Sequence, residues 1–200
     1  MADNISVSGQ SQKRSKEMQN AINKIDVVSV LDSMQIDPAL KSIMLGNIEV
    51  ETGGTFDIDE VEGLKPGTKR DPGIGLFQKT GETLKNYRDY LKRTNKPHSI
   101  ASEFEYYTDS IKDPNSPSGL YLGPGYMEDY QNMLSGKKSG TRKHKGSGII
   151  KEYEPTFEDI HEHFVNFMMN PEEEARKKTI NQRYEASVDA YNRFFAPRGK

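Results

Sequence analysis

Residues 38–53 read PALKSIMLGNIEVETG, and this stretch decides how the rest of the chain is interpreted. Its members recur at the spacing of one face of an α-helix: Leu40, Ile43, Met44, Asn47, Ile48 and Glu51. Pro38 suits the first turn of a helix. Gly53 suits its end, because glycine readily adopts the left-handed conformation that follows a helix. The pattern predicts a helix whose apolar face ends on a carboxylate.

Glu49 and Glu51 are both candidates for acid or base chemistry, but helical geometry separates them. Two positions on an α-helix are about 200° apart, so the two side chains point to different sides. Glu51 extends the apolar stripe and should be partly buried, and burial raises the pKa of a carboxyl group. A glutamate that stays protonated near neutral pH donates a proton to a leaving-group oxygen in glycosidic cleavage. The alternative is a helix-end glutamate that faces solvent.

Residues 53–81 are rich in glycine and proline, which favours turns or a small hairpin over long helices. Within them, residues 73–78 read GIGLFQ and predict a short extended segment. Gly73 and Gly75 have no side chains, so a bulky group could approach the backbone closely there. Gln78 offers both a hydrogen-bond donor and an acceptor.

Helical patterns also occupy most of the remaining chain. Further helices are predicted over 15–34, 82–93 and 99–111, around 127–134, and after Thr156 and Pro171. The fold class is therefore mainly α, with about seven helices and a small β element near residue 75. The first 16 residues are polar and suggest an unstructured or partner-ordered tail. The helix over 15–34 either packs on the domain or docks on a larger assembly.

Composition limits the classes of function. A chain of 200 residues with 33% hydrophobic and 29% charged residues fits one compact domain with polar extensions. No apolar run approaches the roughly 18–20 residues of a spanning helix, and the N-terminus has no apolar signal core. With no cysteine, neither a disulfide nor a thiolate metal site can form. A net charge of −2 gives no general attraction to nucleic acid.

Two segments together resemble the phage tail lysozyme family. Residues 45–53, LGNIEVETG, are similar to its Gly-Asn-x-x-x-Glu-Ser helix end, and residues 73–81, GIGLFQKTG, to its Gly-x-Gly-Leu-x-Gln-Trp-Thr-Gly segment. Goose-type lysozymes and lytic transglycosylases pair similar elements. Asn170–Glu172 and Arg183–Ala186 also resemble the C-terminal part of the family, so the resemblance covers about residues 38–195.

The resemblance implies the residues of a sugar cleft. It makes Glu51 the catalytic acid and assigns substrate binding to Thr52, Gly75, Leu76, Gln78 and, through a transglycosylase-like triplet, Tyr191. The acids between the two motifs are candidates for a second carboxylate, with solvated loop residues as the alternative: Asp57, Asp59, Glu60 and Asp71. Two positions depart from the family. Thr52 replaces serine but keeps a hydroxyl, and Lys79 replaces a tryptophan, which removes an aromatic surface for sugar or core packing.

The implied function is cleavage of the β-1,4 bond between N-acetylmuramic acid and N-acetylglucosamine in bacterial peptidoglycan. A lysozyme-like α+β domain over residues 37–200 would carry a groove flanked by a small β hairpin, without cofactor or metal. Residues 1–36 would form a polar tail and an amphipathic helix, and residues 1–34 would bind other tail or internal-core proteins of a virion. The chain would be made in the host cytoplasm and act at the host periplasm or wall. A holin-dependent endolysin, a lytic transglycosylase that gives 1,6-anhydro products, and a catalytically silent virion protein are the alternatives.

Two other charged motifs are interpreted as surface features. His161 and His163 lie two positions apart on a predicted helix, so they point about 200° apart and cannot chelate one ion together. The basic stretch over residues 137–145 is rich in lysine and has no periodicity, which is typical of a solvated loop. No membrane span and no specific nucleic-acid partner is expected.

Overall fold

A computed structural model describes residues 4–61, 72–112, 156–165 and 173–196 of the chain. These residues form six α-helices: α1 (Asn4–Ser33), α2 (Pro38–Glu51), α3 (Gly81–Thr94), α4 (Ile100–Lys112), α5 (Phe157–His163) and α6 (Glu173–Ala190). A π-helical segment, Tyr191–Phe195, continues α6 directly. The mainly α class is confirmed. The helix predicted around residues 127–134 lies outside the described residues.

Helix α2 is the centre of the fold, and its bounds agree with the prediction. The Asp37 carboxylate accepts the Ala39 N–H at 2.7 Å and so caps its start, with Pro38 in the first turn. The Thr52 N–H donates to Ile48 O at 2.9 Å and closes its end. Every residue from 40 to 48 is buried, so α2 is surrounded rather than buried along one stripe.

Helices α2 and α6 pack closely and run antiparallel. A Cβ placed on Gly46 would lie only 2.4 Å from the Ser187 backbone nitrogen, so only a glycine lets the helices approach this far. Further towards its end, α2 presents Asn47 and Glu51 to Arg183 of α6. Residue numbers therefore rise along α2 as they fall along α6.

Helix α1 begins at Asn4, well before the predicted start at Ser15. Residues 10–14, QSQKR, contain good helix formers and no proline, so the polar segment can continue the helix. Val27 and Leu31 in its second half are fully buried against the core. Another face of the helix differs, because Met18, Ile22 and Ile25 are 68%, 46% and 66% exposed.

The small β hairpin is not confirmed in the part of the chain that the structure describes. Ile74 forms isolated antiparallel bridges with Lys79 and with Val61, and no sheet develops from them. The turn between Ile74 and Lys79 has positive φ at Gly75 (80°) and at Gln78 (45°). Helix α3 begins at residue 81, so only one bridged pair, Ile74 with Lys79, closes this turn before the helix starts.

Aromatic side chains from α3 and α4 fill the space beneath this turn. Phe77 packs on Tyr107 with ring centroids 4.5 Å apart and on Phe104 at 5.9 Å. Tyr106 in turn contacts the rings of Tyr87 and Tyr90. No helix in the described ranges is both long and apolar enough to cross a membrane.

Candidate functional site

Glu51 lies at the last position of α2, between the core and solvent. Its side chain is 20% exposed, and its Oε1 lies 2.7 Å from Nη2 of Arg183. A carboxylate at the C-terminal end of a helix meets the negative end of the helix dipole, which is unfavourable. The Arg183 cation offsets that repulsion and draws Glu51 towards α6.

Arg183 is nearly buried, and three acceptors hold its guanidinium. Nε donates to Thr179 Oγ1 at 3.0 Å, one turn earlier on α6. Nη1 donates to Asn47 Oδ1 at 3.0 Å, and Nη2 donates to Glu51. Sequence reasoning included Arg183 only as part of a resemblance, because nothing in its local pattern indicates which partner it meets.

Asn47 completes this arrangement from α2. Its Nδ2 donates to Ile43 O at 2.8 Å, one turn earlier, which fixes the amide with its oxygen towards Arg183. Asn47 is fully buried, so its oxygen needs this partner. The buried face of α2 thus ends in two polar groups that bind the same arginine.

Glu49 lies on the other side of α2, as the helical spacing predicted. Its Oε2 accepts a hydrogen bond from Lys24 Nζ of α1 at 2.8 Å, and its side chain is 38% exposed. Each of the two glutamates therefore has its own cation from a different helix. Only Glu51 belongs to the Arg183 cluster.

Thr52 serves the end of α2. Its hydroxyl donates to Ile48 O at 2.8 Å and accepts the Phe56 N–H at 3.1 Å, and the residue is 5% exposed. The hydroxyl that the sequence assigned to substrate binding is therefore already bonded twice to backbone.

The GIGLFQ segment folds onto the core. Leu76 is fully buried among core residues. Gln78 turns back over its own turn, and its Nε2 donates to Gly75 O at 2.8 Å. The Gln78 Oε1 is buried and accepts no hydrogen bond from the described residues. A Cβ on Gly73 would lie 2.8 Å from this oxygen, so the glycine makes room for Gln78.

Gly75 and Lys79 both meet Glu103 of α4. A Cβ on Gly75 would collide with Glu103 Oε1, so the space beside this glycine is filled by protein. Lys79 Nζ lies 2.5 Å from Glu103 Oε2, and both side chains are fully buried. Burial lowers the pKa of Lys79, and the neighbouring Glu103 opposes that change. Lys79 thus lies in the core and not on an exposed surface.

Tyr191 lies towards the opposite end of α2 from Glu51. Its ring contacts Phe157 at 5.8 Å, and it borders a cavity of about 460 Å³. The residues around this cavity are Ala39, Phe157, Ile160, Tyr184, Val188 and Tyr191. Ala39 is twelve positions from Glu51, which corresponds to roughly 18 Å along a helix. The structure does not bring Tyr191 to the acid.

The candidate second carboxylates have partners of their own. Asp57 Oδ1 accepts the Asp59 N–H at 3.0 Å. Asp59 is 83% exposed and lies 3.9 Å from His98 Nε2. The Glu60 carboxylate accepts a hydrogen bond from Thr55 Oγ1 at 2.8 Å. Asp71 lies outside the described residues. None of the three described acids forms a hydrogen bond or ion pair with Glu51 or Arg183.

The interpretation of His161 as a surface residue was wrong. The side chain is 1% exposed and packs on the Tyr184 ring with centroids 5.4 Å apart. Burial, and next the nearby Arg183 cation, lower its pKa to about 4. Helix α5 packs this face against α6, which its short polar sequence does not reveal. In the described ranges no cluster of three or more histidine or acidic residues could hold a metal ion.

Comparison of the chain with protein-family models, with curated proteins and with solved structures finds no match.

Proposed function

We propose that this chain is a lysozyme-like peptidoglycan hydrolase of a bacteriophage, with Glu51 as its general acid. One observation carries the proposal: a partly exposed glutamate ends the most buried helix and is held there by a buried arginine. Rigid placement of an acid at a helix end is what proton transfer to a bound leaving group requires. The resemblance of residues 45–53 and 73–81 supplies the substrate class.

The two oxygens of Glu51 have different environments, which suits proton donation. Oε1 is bound by Arg183, whereas no described residue donates a hydrogen bond to Oε2. We assign the transferred proton to Oε2. In the proposed reaction the β-1,4 bond between N-acetylmuramic acid and N-acetylglucosamine breaks, and the leaving oxygen takes that proton.

The outcome after bond cleavage separates two enzymes. A hydrolase needs water at the anomeric carbon, which a second carboxylate commonly activates. A lytic transglycosylase needs none, since a hydroxyl of the substrate closes a 1,6-anhydro ring. Because it needs no second carboxylate, the lytic transglycosylase is the second enzymatic candidate.

A catalytically silent virion protein with the same fold is the candidate from another class. The ion pair with Arg183 favours it, because the same contact also has a purely structural role, in which it ties the end of α2 to α6. Lys79 does not support this candidate, since its side chain lies in the core and not on a sugar-binding surface.

Assembly into a virion through α1 belongs to the same proposal. The exposed side chains of Met18, Ile22 and Ile25 lie at spacings of four and three, so they share one face of the helix. Such a face is suited to another tail or internal-core protein. The localisation to a virion rests on this face and on the resemblance.

The test is digestion of purified peptidoglycan by the full chain, followed by mass analysis of the soluble fragments. Fragments with reducing ends support the hydrolase, and 1,6-anhydro ends identify the transglycosylase. Walls that stay intact, with a folded protein present, reject both enzymes and leave the silent virion protein.

A further inference from the structure

The contact between Gly46 and Ser187 fixes the position of α6 along α2. A Cβ on Gly46 would lie 2.4–2.6 Å from backbone atoms of Ser187, so the helices are as close as two backbones can come here. The Ser187 hydroxyl donates to Arg183 O at 2.7 Å and is satisfied within its own helix. Arg183 lies one turn from this contact, so its backbone has little freedom to move away from α2.

The guanidinium of Arg183 is also fixed independently of Glu51. Thr179 holds Nε from the same helix, and Asn47 holds Nη1 from α2. The Asn47 amide is itself oriented by Ile43 O. Because two of the three contacts do not involve the acid, the arginine orients Glu51 rather than the reverse.

We infer that Arg183 is a positioning residue that holds Glu51 Oε1 so that Oε2 faces the scissile bond. This inference rests on the proposed function. Arg183 acts through Glu51 and does not touch substrate, since its own side chain is only 6% exposed. Its planar fork is essential, because one point charge cannot bond three acceptors in fixed directions.

Other titratable groups also face the cluster. Tyr107 of α4 is fully buried, and Glu51 is one of the charges that raise its pKa, with burial and Glu103 as larger causes. His161 of α5 has a pKa that burial and the Arg183 cation lower. Every variant in the test below therefore keeps Tyr107 and His161 unchanged.

The test compares Arg183→Met and Arg183→Lys with Lys24→Met, which removes the matching cation from Glu49 at the same helix end. Steady-state kcat and KM are measured on soluble peptidoglycan fragments, and folding is monitored by circular dichroism. We expect Arg183→Met to lower kcat about 10²-fold with a smaller change in KM. Arg183→Lys should recover only part of kcat, and Lys24→Met should match the wild type.

Wild-type kcat and KM in a folded Arg183→Met would overturn the positioning role. If that variant does not fold, Thr179→Val removes the Nε anchor and leaves the Asn47 contact in place, and an unchanged kcat there overturns the role as well. Failure of the proposed function looks different, because the wild-type chain would then leave peptidoglycan intact.

Discussion

Lys79 and Glu103 form an ion pair in the interior, with Nζ 2.5 Å from Oε2 and neither side chain exposed. The ammonium group also lies 4.6 Å from the centroid of the Tyr87 ring and 5.6 Å from that of Phe77. The pair joins the turn over residues 74–79 to α4. Removal of charges from water is costly, so each member depends on the other.

We expect Lys79→Met to lower the free energy of unfolding by roughly 3–5 kcal/mol, because it leaves the Glu103 carboxylate buried without a cation. The double variant Lys79→Met/Glu103→Leu should recover most of that loss, since two apolar side chains need no partner. Urea unfolding of the wild type, both single variants and the double variant gives the coupling energy. Additive single-variant losses would contradict the pairing.

This pair explains why part of the site could not be predicted from the sequence. The sequence left open whether position 79 contacts sugar or packs in the core, because a lysine after a glycine-rich segment is usually solvated. Its partner is distant in sequence and sits in an amphipathic helix as one acid among several. Only the packing of the turn on α4 shows that both charges are internal.

Gly75→Val should strongly destabilise the fold. The sequence suggested that a side chain here would fill a cleft and spare the core, but Glu103 occupies that space. The residue also has φ of 80°, which a β-branched side chain opposes. We expect Gly75→Val to lower the free energy of unfolding, measured with urea, by several kcal/mol.

Gly53→Ala is the matched control for that experiment. Gly53 has φ of 59°, yet a Cβ there would meet nothing within 4 Å. We expect Gly53→Ala to lower the free energy of unfolding by about 1 kcal/mol, from backbone strain alone. Equal losses for both variants would show that Glu103 does not fill the space beside Gly75.

Glu51→Gln should reduce peptidoglycan cleavage by about 10²–10⁴-fold, the usual contribution of a general acid. Glu49→Gln is the control, because it changes the same chemical group at the same helix end but faces Lys24. Release of soluble fragments from purified walls measures both. Full activity of Glu51→Gln would reject the assignment of the acid.

The helix that carries both glutamates was predictable because its signals are local. Pro38 sets its start, and the apolar period fixes which side Glu51 faces. Asn47 belongs to the same stripe, but its role depends on Arg183, which arrives from a helix far along the chain. The local pattern predicted where Glu51 lies on the helix, whereas its contact with Arg183 depends on the fold.

The exposed face of α1 should matter for assembly and not for stability. Met18→Gln/Ile25→Gln changes two side chains that are 68% and 66% exposed, so the free energy of unfolding should change by less than about 0.5 kcal/mol. Leu31→Ala on the same helix empties a fully buried position and should cost roughly 2–5 kcal/mol. We expect the double variant to cleave walls normally and to be depleted from purified phage particles. Wild-type incorporation would count against docking through this face.

His161 should make the fold less stable in mild acid. Its folded-state pKa is about 4, because burial and the Arg183 cation disfavour the imidazolium. In the unfolded chain a histidine titrates near 6.5, so between these values the unfolded state binds more protons. The stability that neutral His161 contributes is therefore fully present above pH 6.5 and is lost as the pH falls towards 4. Over that window it amounts to roughly 3 kcal/mol.

His161→Leu removes this titration and keeps an apolar side chain beside Tyr184. Urea unfolding of the wild type and the variant at pH 7 and pH 4.5 isolates the effect, because every other titrating group is common to both chains. We expect the wild type to lose more stability than the variant over this interval, by roughly 2–3 kcal/mol. His98→Leu is the control for loss of a histidine, since the His98 side chain is 33% exposed, although its ring bonds to the buried Tyr87 hydroxyl. Equal pH slopes for the wild type and His161→Leu would mean that His161 is protonated alike in the folded and unfolded chains.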